Sequence, residues 1–274
     1  MPITAELLSI GNEILLGEVL DTNSNWLCQR LTSKGVRVQR VTQLPDDVFL
    51  IANALREATS RKPSLLLTTG GLGPTEDDLT LEALAMELNV PLELHPEAVL
   101  LVRKAYQRFA SLGYVNSAEL TPSREKMARL PKGCEPLPNP VGAAPGVRAK
   151  VGNTMIICLP GVPGEMKAIF QHSVEPLLLS TFQPGTQRTW YVQVSCNDES
   201  VLAPILSLVA RDHPQVYIKS RAREFGTTKK FVVMLSSSAP DADAVFRQLD
   251  EAYRELAQKL DTRGIRVSRI SPES

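Results

Sequence analysis

The sequence lacks an excess of charge of either sign and any long uncharged apolar run. Its 274 residues carry 30 Lys and Arg against 30 Asp and Glu, so no global field attracts nucleic acid or an anionic membrane. Runs of roughly 18 uncharged apolar residues, which a spanning helix needs, are absent, and no basic segment precedes the apolar N-terminus. We therefore expect a cytoplasmic, unanchored protein that binds neither nucleic acid nor membrane and holds any anion locally.

Cysteine and histidine are too few and too scattered to suggest a zinc site or a redox pair. The four cysteines form no CxxC spacing, and the three histidines are equally dispersed: Cys28, Cys134, Cys158, Cys196, His95, His172 and His213. The GxxxxGK phosphate loop and a clean GxGxxG fingerprint are also missing, which excludes a P-loop NTPase. We expect the cysteines to be reduced packing residues.

Short apolar segments alternate with helical patterns through the first half of the chain. Residues 3–10, 36–42 and 64–69 are predicted to be strands, each followed by a helical pattern. Such alternation is typical of a parallel sheet covered by crossover helices. A Pro/Gly-rich stretch over 131–146, of the kind that often forms functional loops, precedes a further apolar strand at 154–159.

The apolar periodicity breaks near Gln183, Pro184 and Gly185. Beyond this break the order is strand, helix, strand, strand, helix, strand, which is the ferredoxin-like arrangement. The sequence therefore predicts two domains: an α/β domain with a mostly parallel sheet over 1–183, and a small α+β domain over 184–274.

Three glycine-bearing loops, at 11–17, 70–73 and 161–164, each follow a predicted strand. The carboxyl ends of parallel strands share one edge of the sheet, where ligands bind. Glycine lets backbone N–H groups approach an anion closely, and a following helix N-terminus adds favourable partial charge. The loops therefore predict a phosphate or pyrophosphate site. Each loop taken alone is equally consistent with a tight turn.

Acidic residues accompany these loops. Glu13, Glu165 and the run Glu76-Asp77-Asp78 lie in or beside them, and Asp46 follows the second strand. Carboxylates facing phosphates repel them unless a divalent cation lies between, and Mg²⁺ is commonly held by one or two carboxylates plus phosphate. Each acid alone also suits a helix cap. We expect Asp78 to be functional and Asp77 to be a solvated cap.

Four sequence motifs occur in order along the first 170 residues or so. Residues 11–17 read GNEILLG, followed by DTN at 21–23, and residues 69–80 read TGGLGPTEDDLT. Residues 138–146 read PNPVGAAPG, and residues 159–166 read LPGVPGEM. Together these motifs resemble those of the N-terminal region of CinA, within the MoaB/Mog molybdopterin-binding superfamily.

The resemblance implies a MoaB/Mog-like three-layer domain whose pocket binds a phosphorylated pterin or nucleotide. It also implies metal-dependent hydrolysis of ADP-ribose at the pyrophosphate, an activity associated with the CinA N-terminal region. Asp46 and Asp78 correspond to acids at the relatives' active site, and Gly70, Gly71 and Gly73 to their phosphate loop. Molybdopterin-handling relatives more usually carry Asp where this chain has Asn12, which weakens the molybdenum-cofactor interpretation.

The first hypothesis is accordingly a divalent-metal-dependent nucleotide pyrophosphatase that hydrolyses ADP-ribose or a related dinucleotide. Asp78 and Asp46 are the predicted catalytic residues, and together with Glu165 they are the predicted ligands of Mg²⁺, Mn²⁺ or Co²⁺. The predicted ligand-binding residues are Gly11, Glu13, Asn23, Thr69, Gly70, Gly71, Gly73, Asn139, Gly142, Gly161 and Pro163.

The second hypothesis is a protein that binds molybdopterin or a nucleotide in the same pocket without turning it over, or that transfers an adenylyl group to molybdopterin. Under either hypothesis we expect a small-molecule ligand and a homo-oligomer, as relatives of this fold form. Tyr106, with Arg103 and Lys104, is predicted to lie on an exposed helix, and we assign these three residues no function.

Overall fold

The computed structural model describes residues 3–182, 185–196, 198–222 and 231–271. The chain divides into two compact units, one of Met1–Leu31 with Val36–Gln183 and one of Thr32–Gly35 with Pro184–Ser274. Gln183 and Pro184, at the predicted domain boundary, lie outside the described residues, so the exact boundary stays a prediction. No described helix is both long and apolar enough to cross a membrane.

The strands of the first unit are short, and most of them are buried. In chain order they are β1 (Thr4–Ile10), β2 (Arg37–Leu44), β3 (Leu65–Thr69), β4 (Leu92–Leu94), β5 (Arg129–Pro131), β6 (Glu135–Leu137), β7 (Gly146–Val151) and β8 (Thr154–Leu159). Six of them form one sheet in the order β2-β1-β3-β8-β7-β6, and β4 pairs with β5. The pairs β2/β1, β1/β3 and β3/β8 are parallel, whereas β7 and β6 are added antiparallel.

Helices cover both faces of this sheet. They are α1 (Asn12–Leu15), α2 (Thr22–Ser33), α3 (Val48–Ser60), α4 (Thr80–Leu88), α5 (Pro96–Ser111), α6 (Pro122–Lys126), α7 (Pro163–Ile169) and α8 (Glu175–Phe182), with a π-helical turn at Phe170–Val174 between the last two. One apolar core lies against α3, α4 and α5, and a second lies against α2, α7 and α8. The unit is therefore a three-layer α/β domain.

The second unit contains β9 (Thr186–Val194), α9 (Glu199–Asp212), β10 (Val216–Ala222), β11 (Phe231–Ala239), α10 (Ala242–Asp261) and β12 (Val267–Ile270). Its strands pair antiparallel in the order β10-β11-β9-β12. Alternate strand residues such as Val192, Val233 and Leu235 are fully buried in a core shared with α9 and α10. The predicted fold class, a mostly parallel α/β domain followed by an α+β βαββαβ unit, is confirmed.

Several short elements of the first unit escape sequence prediction. Strands of three residues, β4, β5 and β6, and helices of four or five residues, α1 and α6, are too short to produce a periodic signal. The stretch over 131–146, predicted to be a loop, contains β6. Helix α1 borders the predicted ligand cavity, and β6 leads into the 138–146 segment, which also borders it.

An ion pair between the buried Glu6 and the partly exposed Arg61 links β1 to the end of α3. Glu6 is only 2% exposed, and its carboxylate accepts hydrogen bonds from Arg61 Nε at 2.9 Å and Arg61 Nη2 at 2.7 Å. These bonds raise the pKa of Arg61 above its ordinary value. The Arg61 side chain is itself about one-third exposed, so the pair links the buried Glu6 carboxylate to the protein surface.

Arg61→Ala is expected to lower the free energy of unfolding by about 1–3 kcal/mol, because it leaves the buried Glu6 carboxylate without its hydrogen-bond donors. Urea unfolding followed by circular dichroism measures the change. Arg254→Ala, which breaks the exposed pair with Asp250, is the matched control and should cost less than about 1 kcal/mol. Equal losses in the two variants would contradict this role of the Glu6–Arg61 pair.

The buried thiol of Cys158, in β8, is expected to make the free energy of unfolding fall as the pH becomes alkaline. Burial raises its pKa from 9.0 to about 12, so the folded chain keeps the proton that the unfolded chain loses above pH 9. The contribution is full below pH 9 and is lost as pH rises towards 12. Between about pH 8.5 and about pH 10.5 we expect the wild type to lose about 2 kcal/mol more than Cys158→Ala. Parallel urea titrations with equal losses would refute this.

Candidate functional site

A cavity of about 510 Å³ opens at the carboxyl edge of the parallel strands. It lies where the segments after β1, β2, β3 and β8 converge, and the helices α5 and α7 and the 141–144 segment close its other sides. This is the edge at which open α/β sheets bind ligands. Its volume is within the range of small-molecule and cofactor pockets.

Gly70 and Gly71 fix the floor of the cavity. Gly70 has φ +101°, and a Cβ there would lie 2.1 Å from the Ile10 carbonyl oxygen. Gly71 has φ +67°, and a Cβ would lie 2.3 Å from Thr80 Oγ1. The same Thr80 hydroxyl donates to the Gly70 carbonyl at 2.8 Å. Both the left-handed backbone and the close approach therefore require glycine.

The loops from neighbouring strands are tied together at this floor. Gly70 N–H donates to the Leu159 carbonyl at 3.0 Å, and Gly161 packs against the Gly70 backbone. The backbone N–H groups of Gly71, Leu72 and Gly73 have no acceptor among the described residues. Successive free N–H groups in such a turn form an anion-binding concavity.

Five carboxylates line the cavity among the described residues, and no Lys or Arg does: Glu13, Asp46, Asp77, Asp78 and Glu165. Two of the acids are packed against glycines at the rim. A Cβ at Gly73 would lie 2.6 Å from Asp78 Oδ2, and one at Gly11 would lie 2.5 Å from Glu13 Oε1. Because glycine has no side chain, these two positions leave room for the carboxylates. The cavity is therefore lined by acids, and the Gly71–Gly73 turn forms part of the same lining.

Asp78 and Asp46 each use only one of their two carboxylate oxygens in hydrogen bonds to the described part of the protein. Asp78 Oδ2 accepts from Thr75 N at 2.8 Å and from Thr75 Oγ1 at 2.6 Å. Asp46 Oδ2 accepts from Asn12 N at 2.8 Å, while Asn12 Oδ1 accepts from Asp46 N at 3.4 Å. One oxygen of each acid therefore remains available to a ligand or a cation.

Glu165 is held by the 138–146 segment. Asn139 Nδ2 donates to Glu165 Oε2 at 2.6 Å and to the Ala144 carbonyl at 2.8 Å. Asn139 Oδ1 accepts from Val141 N at 3.2 Å and from Gly142 N at 2.7 Å. A Cβ at Gly142 would lie only 1.9 Å from Glu165 Oε2, so this glycine gives the carboxylate its space.

The predicted site residues separate into two groups. The structure brings ten of them to the cavity: Gly11, Glu13, Asp46, Gly70, Gly71, Gly73, Asp78, Gly142, Gly161 and Glu165. Four others do not line it. Thr69 is buried at the end of β3, Pro163 begins α7, Asn23 Nδ2 donates to the Gly161 carbonyl at 2.7 Å, and Asn139 serves the loop. Their predicted roles as ligand contacts stay predictions.

The predicted metal ligands do not converge on one point. Within the described ranges, no three His, Cys, Asp or Glu side chains are grouped closely enough to hold a metal ion. Asp46, Asp78 and Glu165 therefore form no three-acid site. One or two of these carboxylates together with ligand phosphates still match the way proteins hold Mg²⁺.

Sequence analysis missed the apolar wall of the cavity. Tyr106 and Phe109 of α5 line it with Val141, and the two rings meet edge to face with centroids 5.7 Å apart. Tyr106 is half-buried in the cavity wall, whereas Arg103 and Lys104 of the same helix are exposed, as predicted. Its spacing three residues from Phe109, beside buried Val102 and Ala105, was the available signal.

The chain belongs to the family described as the probable molybdopterin binding domain, whose model matches residues 6–180. The resemblance predicted from the four motifs is confirmed. The first unit is similar to CinA from Thermoplasma acidophilum, described as a protein with unknown function: the two are 37% identical with a TM-score of 0.58 over 64% of this chain and 98% of that one.

Two archaeal relatives cover almost the whole chain. Protein PAE0875 of Pyrobaculum aerophilum is 44% identical over 256 residues, which is 92% of this chain and 93% of that protein. Protein PH0439 of Pyrococcus horikoshii is 36% identical over 264 residues, 96% and 97% of the two chains. Both units of this chain therefore occur together in these relatives.

Gly70→Ala is expected to destabilise the first unit by at least about 3 kcal/mol, since it adds a backbone clash to the strain of a positive φ. Gly133→Ala is the control: Gly133 has φ +84° but open space around its Cβ position, so only the conformational cost of about 1–2 kcal/mol applies. Chemical unfolding measures both. Similar losses of stability in the two variants would show that the close approach to the Ile10 carbonyl adds nothing to the cost of the substitution at position 70.

Proposed function

We propose that the cavity binds a phosphorylated pterin of the molybdopterin class, or a nucleotide of similar chemistry, together with a divalent cation. The observation that carries the proposal is the Gly71–Gly73 turn. Its residues line the cavity, their N–H groups have no acceptor among the described residues, and the lining there contains acids and no basic side chain. The family to which the chain belongs supports the pterin as the ligand class.

The phosphate is expected at the glycine turn. Backbone N–H groups are its available donors, because no Lys or Arg lines the cavity in the described part of the chain. Five carboxylates nearby would repel a phosphate unless a cation intervenes. Asp78 and Asp46, each with one oxygen free of the hydrogen bonds described above, are the residues that would hold Mg²⁺, Mn²⁺ or Co²⁺ against the phosphate.

Binding or adenylyl transfer agrees better with these observations than hydrolysis of ADP-ribose does. The family model that matches residues 6–180 is described as a probable molybdopterin binding domain, which supports binding of a pterin over hydrolysis of ADP-ribose. Hydrolysis of ADP-ribose remains a prediction from the resemblance to CinA, and homo-oligomer formation is likewise still a prediction.

The binding test uses isothermal titration with 6-hydroxymethylpterin monophosphate in Mg²⁺. Asp78→Asn should weaken binding by about tenfold or more, since a charge-assisted contact contributes about 1.5–3 kcal/mol, and EDTA should weaken the wild type similarly. The substituted amide keeps an oxygen that can accept from Thr75, so the turn should persist. Glu76→Gln, in the same loop but outside the cavity lining, is the control and should bind as the wild type does.

Two outcomes would contradict this proposal. Unchanged affinity in Asp78→Asn would remove Asp78 from the site, and no binding of the pterin phosphate at any tested concentration would exclude the ligand class. In a parallel arm the protein is incubated with ADP-ribose and Mg²⁺, Mn²⁺ or Co²⁺. Metal-dependent AMP release that is lost in Asp78→Asn would favour the pyrophosphatase instead.

A further inference from the structure

Glu165 differs from the other cavity acids in its surroundings. Asp78 packs against Gly73 of the glycine turn, whereas Glu165 of α7 packs against Gly142 of the 138–146 segment. Its Oε2 accepts from the neutral amide of Asn139, and its Oε1 has no hydrogen-bond partner among the described residues. A carboxylate has room for about four hydrogen bonds, so Glu165 can accept further donors from a ligand.

The apolar wall of the cavity reaches the same segment. Arg108 of α5 donates from Nη2 to the Gly142 carbonyl at 3.3 Å and also contacts the Pro140 carbonyl. Tyr106 and Phe109 lie on either side of Arg108 in the sequence of α5, and they line the cavity together with Val141. A planar ring packed on this wall would therefore have its edge near Glu165.

The hydrogen-bonding chemistry of that edge discriminates between ring systems. A 2-amino-4-oxo ring, as in a pterin or in guanine, presents an amino N–H beside a ring N–H, and this pair matches a carboxylate that accepts two parallel bonds. Adenine presents its amino group beside a ring nitrogen that is an acceptor. An acceptor facing an unpaired carboxylate is repelled, because neither group carries a proton to share.

We propose that Glu165 is the specificity-determining residue of the cavity and selects a ring with the 2-amino-4-oxo edge. This inference rests on the proposed function, since it requires a phosphorylated ring in the same cavity. Glu165 then serves as an acceptor for the ring and not as the third metal ligand expected from the sequence.

Asn139 is the positioning residue for this carboxylate. All four of its hydrogen-bonding positions are used within the protein: its two N–H groups serve Ala144 and Glu165, and its oxygen accepts from the backbone of Val141 and Gly142. Asn139 therefore has no free group for the ligand. It couples the shape of the 138–146 segment to the orientation of Glu165.

The test compares ligands that differ only at position 2 of the ring. GMP is compared with IMP, which lacks the 2-amino group, and pterin with lumazine, which carries an oxygen there; AMP is included for adenine. Titration calorimetry in Mg²⁺ gives the dissociation constants. The wild type should bind GMP at least about tenfold more tightly than IMP, and pterin more tightly than lumazine, by the same charge-assisted contact.

In Glu165→Gln the ratio of the affinities for GMP and IMP should fall towards one, because only the oxygen of the glutamine amide can accept a hydrogen bond. Asn139→Asp should also lower the ratio, since a carboxylate in place of the amide donor repels Glu165. The ratio is the readout because a loss of stability alone would weaken both ligands equally. Glu119→Gln, exposed and outside the cavity lining, should keep the wild-type ratio.

Each other outcome overturns the inference. Equal affinities for GMP and IMP, tighter binding of AMP, or an unchanged ratio in both Glu165→Gln and Asn139→Asp would remove Glu165 from ring recognition while the phosphate site stands. Failure of every nucleotide, of both rings and of the pterin phosphate would overturn the proposed function as well. Pterin/lumazine discrimination without any binding of GMP would support the inference and identify the ring as a pterin.

Discussion

The approach of Gly70 to the carbonyl of Ile10 is the contact on which the cavity depends. It brings the end of β3 against the end of β1, and Gly161 after β8 packs on the same glycine. Three loops from three parallel strands therefore meet without side chains between them, held by the hydrogen bonds of Gly70 with Leu159 and Thr80. With any side chain at position 70 the strand ends would have to separate, which would displace the adjoining Gly71–Gly73 turn.

The electrostatics of the cavity follow from this geometry. Backbone donors occupy its floor, while carboxylates packed against glycines occupy its rim. An anion alone meets repulsion from the rim, and a cation alone meets the positive ends of the floor amides. A phosphate that arrives with a divalent cation satisfies both surfaces. In the proposed complex, a ring with N–H donors would pair with Glu165, so that phosphate, cation and ring would each meet a complementary part of the cavity.

The sequence predicts the parts of this site that have a local signal. Glycine runs directly after apolar strands and acids in the following turn indicate a ligand-binding edge, because parallel strands end on the same side of the sheet. Tyr106 could not be assigned in this way, since it lies within helix α5 and not in a loop that follows a strand. Asn139 was predicted to contact the ligand, whereas in the structure its amide bonds to Val141, Gly142 and Ala144 of its own loop and to Glu165 of α7.

In the proposed complex, the phosphate of the ligand lies on the Gly71–Gly73 turn. Backbone amide chemical shifts, recorded by transverse-relaxation-optimised NMR during titration with 6-hydroxymethylpterin monophosphate and Mg²⁺, test this most directly. We predict that the amides of Gly71, Leu72 and Gly73 show the largest changes and saturate together with the calorimetric binding curve. Saturable binding that leaves these three amides unchanged would contradict the account.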